Sequence, residues 1–233
     1  MSDNITAGLP AVLDETNPSA SFGMTYTAPD GRRYRYARAG AVALVVGNLL
    51  QSSAQDTGDQ NIAATAAAVG ATSITTAAMT VTANQYAGGY VTVTVTPGLG
   101  STYRIKSHAA YTAAAATFEL EEPIQVALTA TSTLDFVANP YNLVVVFPIT
   151  PTGVPVGVAV NDLAINGYGW IQVAGPCNIK NDAAGALTVG VQVMPSTSVA
   201  GNIRLGTAGL PVIGNAITGI AASENGLVFL NIS

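Results

Sequence analysis

One stretch limits what this chain can fold into more than any other. Residues 153–177 read GVPVGVAVNDLAINGYGWIQVAGPC. Val154, Val156 and Val158 alternate as strand residues, Asn166-Gly167 is a turn pair, and Tyr168, Trp170 and Gln172 resume the alternation. That is the pattern of a β-hairpin. It returns near the C-terminus as LPVIGNAITGIAASENGLVFLNIS. At a constant offset of 57, Gly157, Ala159, Ala164 and Gly169 match Gly214, Ala216, Ala221 and Gly226, and residues 170–173 lie over 227–230. A fixed-period match marks internal duplication, so one hairpin-like unit is predicted twice.

The rest of the chain also reads as strand. Phe22, Met24 and Tyr26 alternate, Pro29-Asp30-Gly31 makes a turn, and Tyr34 and Tyr36 then alternate with Arg33 and Arg35, which predicts a hairpin over 22–37. Residues 39–51 read as a buried apolar strand bent at Gly47-Asn48. Residues 63–83 are rich in Ala and Thr and read as strands interrupted at Gly70. Further strands are expected at 90–96, 103–106, 118–121, 134–138 and 143–147. Leu187, Val189, Val191 and Val193 form a period-two pattern, and the chain closes on a strand at 227–232. Short strands between Gly and Pro turns, without an amphipathic helix, predict an all-β fold that is sandwich- or barrel-like. The expected organisation is an extended N-terminal arm over 1–21, a β-rich domain over 22–150, and a small β domain carrying the duplicated hairpin over 151–233.

Composition narrows the function. Charged residues make up 9 % of the chain, against roughly 25 % in an ordinary soluble domain. Hydrophobic residues reach 49 % but aromatics only 6 %, so the apolar content is mostly Ala and Val. A surface so poor in charge resists association weakly, and sheet edges are commonly covered by subunit contacts. No run approaches the roughly 18 apolar residues of a membrane span, and residues 1–10 lack the basic and apolar regions of a signal peptide. Neither membrane nor export is expected. The single cysteine, Cys177, excludes an intrachain disulfide framework and suits a protein made in the cytoplasm. A net charge of −5 argues against nucleic acid as partner.

Chemistry-bearing residues are sparse. His108 is the one histidine, expected to be structural, and with no cysteine cluster a zinc site is excluded. No cofactor or metal is expected. Cys177 reads as a buried thiol. Glu119, Glu121 and Glu122 form the densest carboxylate group; a solvated strand face opposite Phe118 and Leu120 is the preferred reading over a glycosidase pair or a calcium site. Asp56 and Asp59 lack the spacing of a calcium loop. Trp170 is the candidate core anchor, with a sugar-stacking platform at Tyr168 and Trp170 as the alternative. Arg32, Arg33, Arg35 and Arg38 are four of the eight basic residues. They oppose Tyr34 and Tyr36 and are candidate contacts to an acidic protein surface. The expectation is that the chain is not an enzyme.

Several of these stretches resemble one family in order along the chain: FGMTYTAPDGRRYRYARAGAVALVVGNLLQ from Phe22, Thr82-Ala83-Asn84-Gln85-Tyr86-Ala87-Gly88-Gly89, residues 103–108, Ala138-Asn139-Pro140-Tyr141, and VPVGVAVNDLAINGYGWIQVAGP. Together they look like the head decoration, or cement, proteins of tailed bacteriophages. The similarity covers most of the chain from about residue 22. It implies a β-rich virion protein on the outer surface of the capsid, made in the host cytoplasm. Its partners would be the major capsid protein and itself, as a homotrimer, and it would cross-link neighbouring capsomers against the pressure of packaged DNA. The family supplies no catalytic residue to carry over. The competing expectation is a phage fibre or surface adhesion module that binds carbohydrate, and a third is a glycosidase using Glu119 and Glu121.

Overall fold

The computed structural model describes residues 16–206 and 209–232. Over them the protein is all-β, with one 3-10 turn at Thr57–Asp59. The first nine strands are β1 (Thr25–Thr27), β2 (Arg33–Arg38), β3 (Leu49–Gln51), β4 (Ile62–Ala63), β5 (Ser73–Val81), β6 (Tyr90–Val93), β7 (Thr102–His108), β8 (Tyr111–Leu120) and β9 (Thr133–Val137). Then come β10 (Val145–Val146), β11 (Pro155–Ala159), β12 (Tyr168–Lys180), β13 (Gln192–Pro195), β14 (Ile203–Leu205), β15 (Gly214–Ala216) and β16 (Asn225–Asn231).

The chain divides into two compact units, and the division does not fall at residue 150. One unit is Ala54–Asn139; the other joins the residues up to Ser53 with those from Pro140 onward. The reason is strand pairing. Leu50 of β3 faces Val146 of β10 and Gly157 of β11, so residues on both sides of the expected boundary share one sheet. Residues 148–153, which resemble a linker in sequence, are held by Gln51. Its Oε1 accepts from the backbone N–H of Thr152 and Gly153, and its Nε2 donates to Thr152 Oγ1 at 2.7 Å.

The discontinuous unit contains a larger duplication than the hairpin. Val158 faces Gln172 and Ala159 faces Ile171; shifted by 57, Asn215 faces Phe229 and Ala216 faces Val228. Leu49 faces Val158 and Leu50 faces Gly157, just as Gln192 faces Asn215 and Val193 faces Gly214. Val146 against Leu50 recurs as Leu205 against Val193. Tyr36 against Trp170 recurs as Asn178 against Leu227. The antiparallel bridge Leu44–Leu163 recurs as Leu187–Ile220, and the parallel bridge Ala39–Val144 recurs as Asn181–Ile203. That parallel bridge closes each repeat into a small barrel. The first repeat is β2, β3, β10, β11 and the start of β12. The second is the rest of β12, β13, β14, β15 and β16. β12 serves both, and its register against β2 shifts between Gln172 and Ala174, where one repeat passes into the next. The unit 54–139 is inserted between β3 and β10 of the first repeat, where the second has only residues 196–202 between β13 and β14.

Each repeat has its own core. Leu44, Leu50, Val144, Leu163 and Ile171 fill the first; Leu187, Val193, Ile203, Ile220 and Val228 stand at the matching places in the second. The second core also takes in Leu49, Phe147 and Val158. Leu49 and Leu50 are adjacent, so they point to opposite faces of β3, and each faces a different core. The second repeat is thereby packed on the outer face of the first. A fully buried leucine contributes roughly 1.5–3 kcal/mol, so these three side chains make the repeat junction substantial.

Several expected strands are shorter than predicted. Residues 39–48 are loop apart from the single bridges at Ala39 and Leu44, with Leu44 buried but Val42, Val45 and Val46 exposed; a continuous strand forms only over 49–51. The alternation at 187–193 is likewise mostly loop. Gly47 and Gly190 hold left-handed φ values of 83° and 84° and donate to Ala159 O and Ala216 O, so the same turn interrupts both runs. A glycine there avoids the clash a side chain would meet.

Of the expected arm, residues 1–15 lie outside the described residues. Residues 16–21 lead over Tyr36, whose hydroxyl accepts from Ser19 N–H at 2.9 Å. β1 then pairs with β2, as the predicted hairpin requires.

The inserted unit is an antiparallel sheet in the order β4-β9-β6-β7-β8-β5. It closes where Ala64 bridges Thr76 and Thr65 N–H donates to Thr75 O. Its interior holds Ile74, Val91, Ile105, Phe118, Leu134 and Phe136. The chain enters and leaves at the same end of this barrel, before β4 and after β9. The loops 64–72, 94–101 and 121–132 all lie at the other end.

Candidate docking surface

Those three loops form one connected tip. Ala67 bridges Leu128, Gly70 N–H donates to Ile124 O, and Ile124 N–H donates to Ala71 O. Ser132 Oγ donates to Pro97 O at 2.8 Å, which ties the third loop to the second. Residues 64–72 and 94–101 carry no charge, and neither do residues 123–132. Yet Val69 (64 % exposed) and Leu99 (63 %) stand out from them, with Val95 and Val126 also exposed. Leu99 sits in Pro97-Gly98-Leu99-Gly100, and Val69 precedes Gly70. A tight turn has no interior, so a large apolar residue at its apex faces outward. The signal for this is in the sequence, in a large apolar residue beside turn glycines. Exposed apolar groups gathered on one surface mark an interaction site.

The basic strip is largely occupied by its own neighbours. Arg32 pairs with Asp30, Nε to Oδ2 at 2.7 Å, and its backbone N–H donates to Oδ1. These bonds hold the Asp30 carboxyl below its usual range. Arg35 donates to Gly23 O at 2.8 Å and lies over the Tyr141 ring. Arg38 donates to Asn166 Oδ1 and lies over Tyr168. Arg33 is exposed on β2.

Trp170 belongs to none of the buried clusters. It lies on the outer face of the first repeat, edge-on to Tyr26 and Tyr36, and Phe22 stacks parallel to Tyr168. Trp170 therefore anchors an aromatic layer outside the core, under which Tyr34 and Tyr36 lose all solvent contact.

His108 is held at both ring nitrogens: Nε2 accepts from Tyr86 N–H at 3.0 Å, and Nδ1 donates to Ala109 O at 2.9 Å. Burial pushes its pKa down. Cys177 is buried in the second repeat, and burial pushes its thiol up to about 12. Arg104 engages two of the glutamates. Its Nη1 meets Glu121 at 3.2 Å, and its backbone N–H donates to Glu122 Oε2. Asp56 accepts from Gly58 N–H. Asp59 is buried and accepts a 2.5 Å hydrogen bond from the Tyr86 hydroxyl; burial raises its pKa.

No family model, curated protein or solved structure matches this chain.

Proposed function

We propose that this is a structural virion protein that binds the outer surface of a phage head, as a homotrimer, and cements neighbouring capsomers. The observation that carries the reading is the apolar tip of the inserted barrel, uncharged over residues 64–72, 94–101 and 123–132. Val69, Val95, Leu99 and Val126 are placed by three mutually bonded loops, an arrangement suited to burial against a protein surface rather than to chemistry. The resemblance of the ordered segments from Phe22 onward to phage head decoration proteins supplies the partner, the major capsid protein. A cement protein binds only the assembled lattice, so each bound copy stabilises that lattice by linkage. A subunit that bridges two capsomers gains further from effective concentration. Residues 1–21 and the stretch 32–38 contribute secondary contacts in this reading, with Arg33 the basic side chain turned most fully to solvent. No catalytic step or cofactor is part of it.

The carbohydrate-binding alternative needs open ring faces at Tyr168 and Trp170. Tyr168 is stacked by Phe22 and capped by Arg38, and Trp170 is flanked by Tyr26 and Tyr36, which counts against it.

The test is co-sedimentation with emptied heads of the phage that encodes the protein. Wild-type chain is expected to pellet at a saturating ratio, and a Val69→Asp/Leu99→Asp chain to stay in the supernatant. Wild-type chain that never pellets overturns the reading; a double variant that binds as well as wild type overturns the assignment of the tip.

A further inference from the structure

The two repeats offer an internal comparison of one surface in two settings. In the first repeat, the outer face of β12 and β2 presents Trp170, Gln172, Tyr34 and Tyr36. Gln172 is 2 % exposed, its Nε2 donating to Ala174 O and Pro176 O, and the tyrosines are wholly buried beneath the aromatic layer. In the second repeat, the register places Leu227, Phe229, Pro176 and Asn178 at the matching positions. Here none of the described residues lies over them. Phe229 is 54 % and Leu227 42 % exposed, and Ile217, whose N–H donates to Leu227 O, is 38 % exposed.

The substitutions run against what solvent asks for. A buried glutamine in one repeat is an exposed phenylalanine in the other. Elsewhere the outer face follows the ordinary rule: Leu49 and Val158, covered by the second repeat, are matched by exposed Gln192 and Asn215. The apolar character of the β16 face is therefore local, and the contact that joins the repeats is not what is repeated there.

We propose that the outer face of β16, centred on Phe229 and Leu227, is where a second copy of this chain docks. Two features favour another copy. First, packing on an outer face of this fold is already how the protein joins its own two repeats, through Leu49, Phe147 and Val158. Second, the patch suits contact with itself. Outward positions along this part of β12 and β16 are Pro176, Asn178 and Lys180, then Asn225, Leu227, Phe229 and Asn231, so the single charge stands at the rim. Beside a rotation axis each Phe229 meets its own symmetry mates, and an apolar patch with a polar rim closes without like-charge repulsion. The apolar side chains form the anchor of an interface that, at roughly 800 Å² per partner for a stable complex, extends over the surrounding asparagines.

The inference concerns self-association and stands whether or not the protein binds heads. The experiment is the solution mass of the purified full chain by light scattering after size exclusion, for wild type and for Leu227→Ser/Phe229→Ser. Wild type is expected to be an oligomer and the double variant a monomer with an unchanged circular dichroism spectrum. A monomeric wild type, or a double variant that keeps the wild-type mass, overturns the proposal. Should the double variant misfold, Leu227→Cys provides the second readout, because Cys177 is buried. Maleimide labelling of Cys introduced at this position is expected to slow as protein concentration rises through the association range; a rate independent of concentration also overturns it. Head binding is read separately by co-sedimentation.

Discussion

The inserted barrel, with its closed sheet and its own core, should melt as a cooperative unit distinct from the repeats. Ile105 and Phe118 are wholly buried in it. Ile105→Val costs about 0.5–1.5 kcal/mol. A domain of about this size moves its midpoint roughly 4–8 °C per kcal/mol, so the barrel's transition should fall by about 2–12 °C. Phe118→Ala is more severe. The ring lies 4.5 Å from Phe136 and 4.7 Å from His108 between centroids, and its removal costs about 3–5 kcal/mol. Residues 54–139 have in total roughly 4–13 kcal/mol at typical values per residue, so the substitution removes from about a quarter to all of the barrel's stability. Scanning calorimetry is the assay. Wild type should show two transitions; Ile105→Val should lower one and leave the other in place, and Phe118→Ala should lower that same one much further or abolish it. A single transition that both substitutions shift as a whole would refute the reasoning, because the barrel would then have no cooperativity of its own.

Three further outcomes are expected. Gly214→Ala should destabilise the protein by about 1–3 kcal/mol in urea unfolding, because its Cβ would clash with Phe229 O, and Gly157→Ala should do the same through Gln172 O at 2.8 Å. The urea midpoint of the inserted barrel should fall as pH drops below about 6.5, the ordinary histidine value. His108 has a lowered folded pKa, so its contribution is full above the unfolded value and is lost as pH falls through the folded one; His108→Gln should flatten that limb. Asp59 acts in the opposite sense, its raised folded pKa favouring the fold at acid pH. Cys177 should resist iodoacetamide at pH 8 in the native protein, since its thiol is pushed up to about 12, and should react once urea unfolds the chain, as intact mass would show.

The hairpins were legible because their determinants are local. Asn166 takes a left-handed φ of 60° in the turn before Gly167, and the residues flanking it alternate through the strands it joins. The two β11–β12 and β15–β16 loops also have equal length, so one offset of 57 exposes their kinship. The remainder of the repeat was hidden by length, not only by divergence. Matching residues are 142 or 143 apart before the insertion, as in Tyr36 with Asn178 and Leu44 with Leu187, and 59 apart at β10, as in Val144 with Ile203. No single period joins them. The domain boundary is hidden for the same reason: a discontinuous unit has no compositional edge at its second entry. The place of Trp170 outside the core is not legible because alternation tells which residues share a face but not which face is covered. Ile171 and Val173, its strand neighbours, are the ones that turn inward.

The insertion site and the exposed β16 face have a common origin in the duplication. Two barrels that share β12 cannot both cover their outer faces with each other. The first repeat receives the second on Leu49, Phe147 and Val158 and receives residues 19–27 on Tyr34, Tyr36 and Trp170. The second repeat begins within β12, whose first part belongs to the first repeat, so no separate segment leads directly into it as β1 leads into β2. Pro176 also stands where Tyr34 stands in the first repeat, and a proline has no N–H to offer an added strand. An edge-pairing cover of the β1 kind is thus disfavoured at that position, which leaves side-chain burial as the way to protect Leu227 and Phe229. The same asymmetry frees the β3–β10 connection of the first repeat to carry a whole barrel, while its counterpart at 196–202 stays short, with Gly201 N–H donating to Phe147 O and Leu49 N–H donating to Gly201 O. One loop of the pair holds the repeats together, and the other was open to insertion.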